Sequence, residues 1–230
     1  MKEKNENYKK TELFFYNEKF LNIGKKIIDK DFKVLKDLKN TRRNYVALIE
    51  VNGEKFVYKE PRNEFLLVQR KIFTPLKKGE ARTTLENMNS ITLDLKKNFS
   101  EIYLAGVERK YGFIKKSFFL QEALNPHKEM PKEKETIALI KKIHAENRYH
   151  GDCNLTNFLK TDIGIKVIDT QLKKMYFGNY RAHYDMITLK ITAFHNMKHP
   201  YKKNIFYYLA FMVKQFKNLK RRFKNMKKGK

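Results

Sequence analysis

The chain of 230 residues carries 51 Lys and Arg against 25 Asp and Glu, a formal net charge of +26 at pH 7, and 41% of its residues are hydrophobic. This length and apolar content suffice for one domain or two small lobes with a buried core, and they argue against an intrinsically disordered chain. The charge favours a polyanionic partner, an anionic membrane surface or a charged substrate, although a lysine-rich codon bias is an alternative source of part of it.

Features at the start of the chain and its cysteine content bear on the compartment. The single cysteine, Cys153, excludes an intrachain disulfide and fits a reducing environment. The first ten residues, MKEKNENYKK, are charged and lack the apolar core of a signal peptide. No uninterrupted apolar run is long enough to cross a bilayer. We therefore expect a cytoplasmic protein, free or on a membrane surface, with a flexible basic tail at residues 1–10.

The first half of the chain has the pattern of a small antiparallel sheet with one helix. Asn52-Gly53 joins two apolar, β-prone runs, which is the strongest short hairpin signal in a sequence. From about Leu76 the pattern changes, and Ala81, Leu85 and Met88 recur at helical spacing. Strands are predicted at 32–43, 44–51 and 54–60, and as interrupted runs within 101–124.

The second half is predicted to be mainly helical. Pro131 can open a helix with Ile137, Ile140 and His144 along one face, and IKVIDTQ (165–171) follows as a short strand. Two later helices are predicted at about 182–197 and 201–225. The sequence therefore predicts an α+β protein with two lobes, a β-rich lobe at 11–121 and a helical lobe at 122–230.

A polar loop between these elements has the spacing of a kinase catalytic loop. His150-Gly151-Asp152 is followed by Asn157, as in H-x-D-x-x-x-x-N, and Asp169 ends a strand twelve residues after Asn157. In kinases this aspartate orients or accepts the proton of the attacking hydroxyl, while the asparagine and the later aspartate hold Mg²⁺ against the nucleotide phosphates. Taken alone, the loop is more simply interpreted as a capped turn, because Asp and Asn favour turns.

The first half supplies the other groups that such chemistry requires. Lys59, in FVYKE, lies on the second hairpin strand, where a kinase carries its phosphate-binding lysine. Glu80 begins the next helix and is the favoured partner of Lys59. Of its two competitors, Glu64 is disfavoured because it follows too closely on the strand, and Glu86 because it lies on the other side of the helix. Glu122, in FFLQEAL, is the expected contact for adenine at the connection between the lobes.

These segments together resemble the bacterial lipopolysaccharide core heptose(II) kinase family, from about Leu13 to the C-terminal helices. The similarity is densest in VLKDLKNTRRNYVALIEVNGEKFVYKEPRNE, KKGEARTT, AGVERKYGFIKKSFFLQEAL and HGDCNLTNFL with IKVIDTQ. The resemblance implies a protein-kinase-like fold, ATP and Mg²⁺ as cofactors, and phosphoryl transfer to a heptose of the inner core. It makes Asp152 the catalytic base, Asn157 and Asp169 the Mg²⁺ ligands and Lys59 the phosphate anchor.

The chain departs from protein kinases in ways that favour a constitutively active glycan or small-molecule kinase. Thr170-Gln171 follows Asp169 in place of Phe-Gly, no Ala-Pro-Glu segment follows, and Gly151 replaces the arginine that often reads an activation-loop phosphate. The loop that would cover the phosphates, residues 36–43, contains no glycine. Phosphate contacts are expected there from the side chains of Lys39, Thr41 and Arg42.

The expected substrate is the lipopolysaccharide core oligosaccharide, and the chain is expected to act as a monomer. A kinase of another small molecule, glycan or protein stays open, as does a kinase-like scaffold without catalysis. A basic nucleic-acid-binding module suits the charge but leaves the catalytic set unexplained, so no nucleic-acid partner is expected.

Two features of the C-terminal half have alternative interpretations. Asp185 is predicted to be a buried acid that braces the polar loop, with an exposed surface acid as the alternative. The last helix has an apolar stripe, and its cations lie on the other face. It either packs on the lobe with a solvated basic face or lies on an anionic leaflet of the inner membrane. The stripe is Ile205, Leu209, Met212, Phe216, Leu219 and Phe223, and the cations are Lys214, Lys217, Lys220, Arg221, Arg222 and Lys224.

Overall fold

The structure, a computed structural model, describes residues 2–226 except for the side chains of residues 224 and 225, and it is of the α+β class. The strands are β1 (Lys4–Tyr8), β2 (Thr11–Phe15), β3 (Lys33–Asn40), β4 (Tyr45–Val51), β5 (Glu54–Glu60), β6 (Ile102–Lys110), β7 (Phe113–Glu122), β8 (Arg148–Tyr149), β9 (Phe158–Thr161), β10 (Gly164–Val167) and β11 (Lys173–Lys174). The helices are α1 (Lys19–Ile28), α2 (Asn63–Leu66), α3 (Val68–Lys71), α4 (Glu80–Asn89), α5 (Leu93–Lys96), α6 (Glu133–Ala145), α7 (Tyr180–Thr192) and α8 (Ile205–Met226).

The chain divides into two compact units after Asn125, whereas the sequence predicted the division after residue 121. The prediction of a flexible tail at residues 1–10 is wrong for Lys4–Tyr8, because these residues form β1 and pair with β2. Lys4 lies opposite Phe15 and Tyr8 opposite Thr11. The side chains of β1 are polar and mostly exposed, so its sequence lacks the apolar alternation that marks a half-buried strand.

Within residues 2–226, the strands of the N-terminal unit form one seven-stranded antiparallel sheet in the order β1-β2-β6-β7-β5-β4-β3. The predicted hairpin is confirmed as β4 and β5. Asn52 and Gly53 both have positive φ, 53° and 80°, which is the geometry of the type I′ turn that matches the twist of paired strands. This turn fixes the register that places Lys59 opposite Val46.

A helix covers each face of this sheet. On one face, Ile23 and Ile27 of α1 pack in a buried cluster with Leu13 of β2 and Tyr58 of β5. On the other face lies α4, whose Arg82 guanidinium stands 4.0 Å from the ring centroid of Phe14. The prediction of one helix in this unit found α4 and missed α1 as well as the short helices α2, α3 and α5.

The C-terminal unit consists of α6, α7 and α8 with two short antiparallel strand pairs, β9–β10 and β8–β11. The helices α7 and α8 pack together through a cluster that includes Tyr184, Ile187 and Ala210. α7 ends at Thr192, five residues before its predicted end. In residues 2–226, none of the helices combines the length and apolar character that crossing a bilayer requires.

The orientation of α8 contradicts the interpretation in which its apolar stripe packs on the lobe. Ala210 and Lys214 are buried, whereas Met212 and Phe216 are 65% and 68% exposed. The ammonium of Lys214 donates to Thr188 Oγ1 at 3.0 Å. The helix therefore packs through part of its predicted basic face. The side chain of Lys224, also assigned to that face, lies outside the described residues.

The close approach of Gly106 and Phe118 makes a stability prediction for the sheet. These residues lie opposite each other on β6 and β7, and a Cβ on Gly106 would stand 2.3 Å from Cε1 of Phe118. Because the buried ring would have to shift, Gly106→Ala should lower the free energy of unfolding by about 1–3 kcal/mol in denaturant titrations. Lys110→Ala, at the exposed end of β6, is the control and should change it by less than about 0.5 kcal/mol. Equal stability of the two variants would contradict tight packing at Gly106.

Candidate functional site

The polar loop at residues 150–157 is anchored by the carboxylate of Asp185 on α7. Asp185 is fully buried, and its Oδ2 and Oδ1 accept hydrogen bonds from the backbone N–H groups of His150 at 2.7 Å and Gly151 at 2.9 Å. Hydrogen bonds to an ionised acceptor are among the stronger ones in proteins. Gly151 has a φ of 89°, in the left-handed region that favours glycine. The prediction of a buried acid that braces this loop is confirmed.

A second hydrogen-bond chain orients Asp185 from α6. His144 Nε2 lies 3.3 Å from Asp185 Oδ2, and His144 Nδ1 lies 2.7 Å from the hydroxyl oxygen of Tyr201. Because a carboxylate only accepts, Nε2 carries the hydrogen. Burial, followed by the charge of Asp185, raises the pKa of Tyr201 to about 12, so its hydroxyl stays protonated at neutral pH.

His150 is a structural residue of the loop. Its ring packs 5.3 Å from that of Phe158, and its Nδ1 accepts from the backbone N–H of Asp152 at 3.2 Å. Burial lowers the pKa of His150, although the neighbouring aspartates oppose this. The hydrogen of the neutral ring therefore lies on Nε2, which is buried without a hydrogen-bond partner among the described residues. The ring is thus held as an acceptor inside the loop, as expected for a structural histidine.

The structure brings Asp152, Asn157 and Asp169 together. Asn157 Nδ2 donates to the backbone carbonyl of Asp152 at 2.9 Å, and the backbone N–H of Ile168 donates to the carbonyl of Asn157 at 2.9 Å. Asp169 follows Ile168 directly, and its φ of 58° lies in the left-handed region. Asp152 and Asp169 are exposed. The loop and the end of the β9–β10 hairpin therefore share one short stretch of surface.

These residues fit a magnesium ion that is also held by phosphates. Asn157 uses its Nδ2 in a hydrogen bond, so its Oδ1 can serve as an oxygen ligand for the metal, and Asp169 supplies a carboxylate. Mg²⁺ prefers oxygen ligands and usually takes one or two from protein, with phosphates and waters completing the octahedron. In the part of the chain that the structure describes, no group of three or more His, Cys, Asp or Glu could hold a metal ion. A cage made of such side chains is therefore absent there, whereas a two-ligand magnesium site fits.

Cys153 is a buried part of the same loop. Burial raises the pKa of its thiol well above the usual value, and the charge of Asp185 adds to this shift. A thiol that is protonated and buried is a poor nucleophile. A buried thiol of this kind is typical of a small structural loop residue and not of an oxidation switch.

In the N-terminal unit, Lys59 lies on the face of the sheet that α4 covers. Tyr58 packs in the cluster with α1, and side chains alternate along a strand, so Lys59 points to the opposite face. It pairs with Phe119 of β7, and its ammonium stands 5.8 Å from the centroid of that ring.

Glu64 has a role that the sequence did not indicate. Its buried carboxylate accepts from the backbone N–H of Glu80 at 2.9 and 3.0 Å and from Ser117 Oγ at 3.2 Å. It therefore caps the N-terminus of α4, where negative charge is favoured. Ser117 lies two residues before Phe119 on β7, so this carboxylate is on the same side of the sheet as Lys59.

The structure also bears on which carboxylate partners Lys59. Glu86 pairs with Lys78 and Arg82, which agrees with its assignment to another side of the helix. The sequence set Glu64 aside because it follows Lys59 closely. The turn that begins at Pro61 lies between them, and Glu64 is on the short helix α2 rather than on the strand, so Glu64 joins Glu80 as a candidate partner.

Thr41, a predicted phosphate contact, takes part in its own turn. The hydroxyl of Thr41 accepts from the N–H groups of Arg43 at 3.2 Å and Asn44 at 3.1 Å, and it donates to the carbonyl of Asn44 at 3.1 Å. Its single hydrogen is thus used to build the turn between β3 and β4. Lys39, Thr41 and Arg42 are all exposed, and their contacts with phosphate stay predictions.

Glu122 ends β7, and most of its polar groups are engaged within the N-terminal unit. Its N–H donates to the carbonyl of Glu101 at 2.8 Å, and its Oε2 accepts from the N–H of Glu101 at 3.2 Å. Its carbonyl oxygen accepts from Ser100 Oγ at 3.2 Å. The contact of Glu122 with adenine stays a prediction.

A basic cavity in the C-terminal unit was not predicted from the sequence. It has a volume of about 550 Å³, lies at the C-terminal end of α7 and against α8, and has no acidic residue in its lining. Burial, followed by the nearby His183, lowers the pKa of His199 to about 4, so His199 is neutral at neutral pH, and three lysines contribute positive charge to the lining. Its polar lining includes Lys190, His195, Lys198, His199, Lys203 and Tyr207.

Comparison of the sequence with models of protein families finds no match, and comparison with curated proteins finds none either. The assignment of a function to this chain therefore depends on its residues and their geometry.

The anchoring role of Asp185 can be tested by stability. Asp185→Asn replaces an acceptor by an amide that cannot accept both N–H groups, and it should lower the free energy of unfolding by about 2–4 kcal/mol. Asp162→Asn is the matched control, because Asp162 is exposed and contacts only the half-exposed ring of His127 in the described structure. The control should cost less than about 1 kcal/mol in the same denaturant titration. A loss at Asp185 no larger than at Asp162 would contradict the anchor.

The cap on α4 makes a separate prediction. Glu64→Gln removes a buried charge from the helix N-terminus and should lower the free energy of unfolding by about 1–3 kcal/mol. Glu86→Gln, on the same helix, breaks only partly exposed ion pairs and should cost less than about 1 kcal/mol. Thermal and denaturant unfolding of the two variants measure the difference, and the reverse order of stability would refute the capping role.

Proposed function

We propose that the chain is an ATP-dependent kinase with a protein-kinase-like fold that phosphorylates a heptose, heptose II, of the lipopolysaccharide inner core. The observation that carries the proposal is the loop in the C-terminal unit. A buried aspartate holds its backbone, and Asn157 and Asp169 are brought beside Asp152, in the chain order that kinases use.

The N-terminal unit supports the same fold. Lys59 lies on the third strand of the antiparallel run β3-β4-β5, which is the strand that carries the phosphate-binding lysine in protein kinases. The next long helix is α4, on the face of the sheet to which Lys59 points. A kinase places the carboxylate partner of its lysine on such a helix, and here Glu80 and Glu64 are both at its N-terminus.

Phosphoryl transfer requires positioning and charge neutralisation more than covalent chemistry from the protein. Asp152, exposed on the anchored loop, would orient the acceptor hydroxyl and take its proton as the bond to phosphorus forms. Asn157 and Asp169 would hold Mg²⁺, which supplies positive charge at the β- and γ-phosphates when it is bound. Lys59 would anchor the phosphates of ATP.

The basic cavity supports an anionic acceptor. The phosphates and acidic sugars of a lipopolysaccharide core are complementary to a lining with three lysines and no acid. Ile191 lines the cavity, and the next residue is Thr192. The Oγ1 of Thr192 lies 3.5 Å from the backbone carbonyl oxygen of Cys153. Because Cys153 adjoins Asp152, the last turn of α7 links the cavity to the loop that carries the base.

The segment after Asp169 supports constitutive activity. Thr170 Oγ1 donates to the carbonyl of His150 at 2.9 Å and accepts from the N–H of Leu172 at 3.1 Å. The hydroxyl of a buried threonine thus ties this segment to the loop without a phosphorylated side chain. We propose a cytoplasmic enzyme that acts as a monomer, and a kinase of another glycan or small molecule is the alternative.

Phosphate transfer to the acceptor tests the proposal directly. The full chain is incubated with ATP, Mg²⁺ and underphosphorylated core lipopolysaccharide, and mass spectrometry follows the addition of one phosphate to a heptose. Asp152→Asn should lower kcat by about 10²–10⁴-fold while nucleotide affinity stays nearly unchanged. Asp162→Asn is the matched control and should retain full turnover.

Three outcomes are informative. Unchanged turnover in Asp152→Asn would refute the assignment of the base. Binding of Mg·ATP without transfer to this acceptor would favour the alternative kinase, and a panel of other sugars and small alcohols would then be assayed. Absence of both nucleotide binding and transfer, combined with salt-dependent binding to generic duplex, would favour a nucleic-acid-binding module.

A further inference from the structure

The helix α8 presents a continuous apolar stripe to solvent. Its members repeat at alternating steps of four and three residues, so they lie on one side of the helix. Met212 and Phe216, near its middle, are 65% and 68% exposed. The whole stripe is Ile205, Leu209, Met212, Phe216, Leu219, Phe223 and Met226, all of them exposed.

The opposite side of α8 is the one that holds it to the C-terminal unit. Tyr207, Ala210 and Val213 pack against Tyr184 and Ile187 of α7. Lys214 and Lys217 add polar contacts there, since their ammonium groups lie 3.0 Å from Thr188 Oγ1 and 3.2 Å from the hydroxyl of Tyr184. The apolar stripe is therefore not needed for the packing of this unit.

The charge on α8 has one sign. Residues 205–226 contain six Lys and Arg and no Asp or Glu. At 100° per residue, Lys220 and Arg222 fall on the two flanks of the stripe, and both are exposed. Long basic side chains in this position can bury their methylene stems in an apolar layer while the charged ends reach its polar boundary.

The charge decides between two occupants of the stripe. The four-and-three spacing would also suit a coiled coil with a second copy of the chain. That arrangement would bring together two helices with six cations each and no acid, which is repulsive. A bilayer with anionic headgroups is instead complementary to both the apolar stripe and its basic flanks.

We propose that α8 docks the protein on an anionic lipid surface, lying in the plane of the interface with its apolar stripe in the acyl boundary. A helix of 22 residues extends about 33 Å along such a surface. This interaction is independent of the proposed kinase activity.

Binding to vesicles tests the proposal with the full-length chain. Vesicles of phosphatidylcholine alone are compared with vesicles that also contain phosphatidylglycerol, and recovery after flotation is measured over a salt series. Strong recovery is expected only with the anionic lipid, with a decrease as salt rises. Absence of recovery with phosphatidylglycerol at low salt would overturn the proposal.

Matched variants separate the stripe from general electrostatics. Met212→Gln with Phe216→Gln should lower the vesicle partition coefficient at least roughly tenfold. The control, Leu76→Gln with Leu93→Gln, makes the same change at two exposed leucines of the N-terminal unit, 86% and 80% exposed, and should leave binding unchanged. Equal effects in the two pairs would overturn the role of α8.

The contribution of the basic residues of α8 to vesicle binding is tested with a second pair of variants. Neutralisation of Lys220, Arg221 and Arg222 to Gln should also lower the partition coefficient at least roughly tenfold. The control changes three exposed lysines elsewhere to Gln, namely Lys36, Lys55 and Lys128. If the control loses as much binding as the helix variant, diffuse attraction to the net charge explains the result and the proposal fails.

The absence of tryptophan from the sequence allows a direct test of insertion. Phe216→Trp places a single tryptophan on the stripe. On anionic vesicles its emission maximum should shift to shorter wavelength, and brominated acyl chains should quench its fluorescence. Tyr111→Trp, at an exposed turn of the N-terminal unit, should show neither effect. A different outcome would assign the stripe to a second copy of the chain. In that case the protein would dimerise with concentration in sedimentation, the Met212→Gln and Phe216→Gln variant would not, and the fluorophore at position 216 would not be quenched.

Discussion

The carboxylate of Asp185 is the interaction on which the candidate site depends. It is fully buried on α7, and its two oxygens accept from consecutive N–H groups of the polar loop while His144 supports one of them. A buried ion of this kind is tolerated only when its hydrogen-bonding capacity is used, so its burial and the backbone conformation of the loop require each other. The positions of Asp152 and Asn157 follow from that conformation.

Much of this arrangement could be predicted from the sequence because its signals are local. Asn52-Gly53 specifies a type I′ turn by itself, and the register of β5, and with it the face on which Lys59 lies, follows from the turn. The helical spacing of Ala81, Leu85 and Met88 indicates the buried side of α4, and these residues are buried in the structure. The loop at 150 was predicted from its residue spacing in combination with the groups on the N-terminal strands and helix.

Other features could not be predicted because they depend on contacts between distant segments. The strand β1 is polar, and its pairing with β2 leaves no apolar pattern. The hydroxyl of Thr41 closes its own turn, and Glu64 caps a helix that begins sixteen residues later in the chain. The spacing of apolar residues in α8 indicates that they share one side of the helix. It does not indicate which side packs on α7, and in the structure α7 contacts the side that carries Lys214.

The thirteen residues of α7 have three structural roles. The helix packs against α8, carries Asp185, which anchors the loop, and lines the basic cavity. Because the loop is anchored to α7 and α8 packs on it, opening of α7 would release both, so the stability of the loop is coupled to that of the helical core. Substitutions that loosen this helix are therefore expected to act on fold and site at once. Selection for function would then constrain buried positions of α7, such as Met186 and Leu189, as strictly as the exposed residues of the loop.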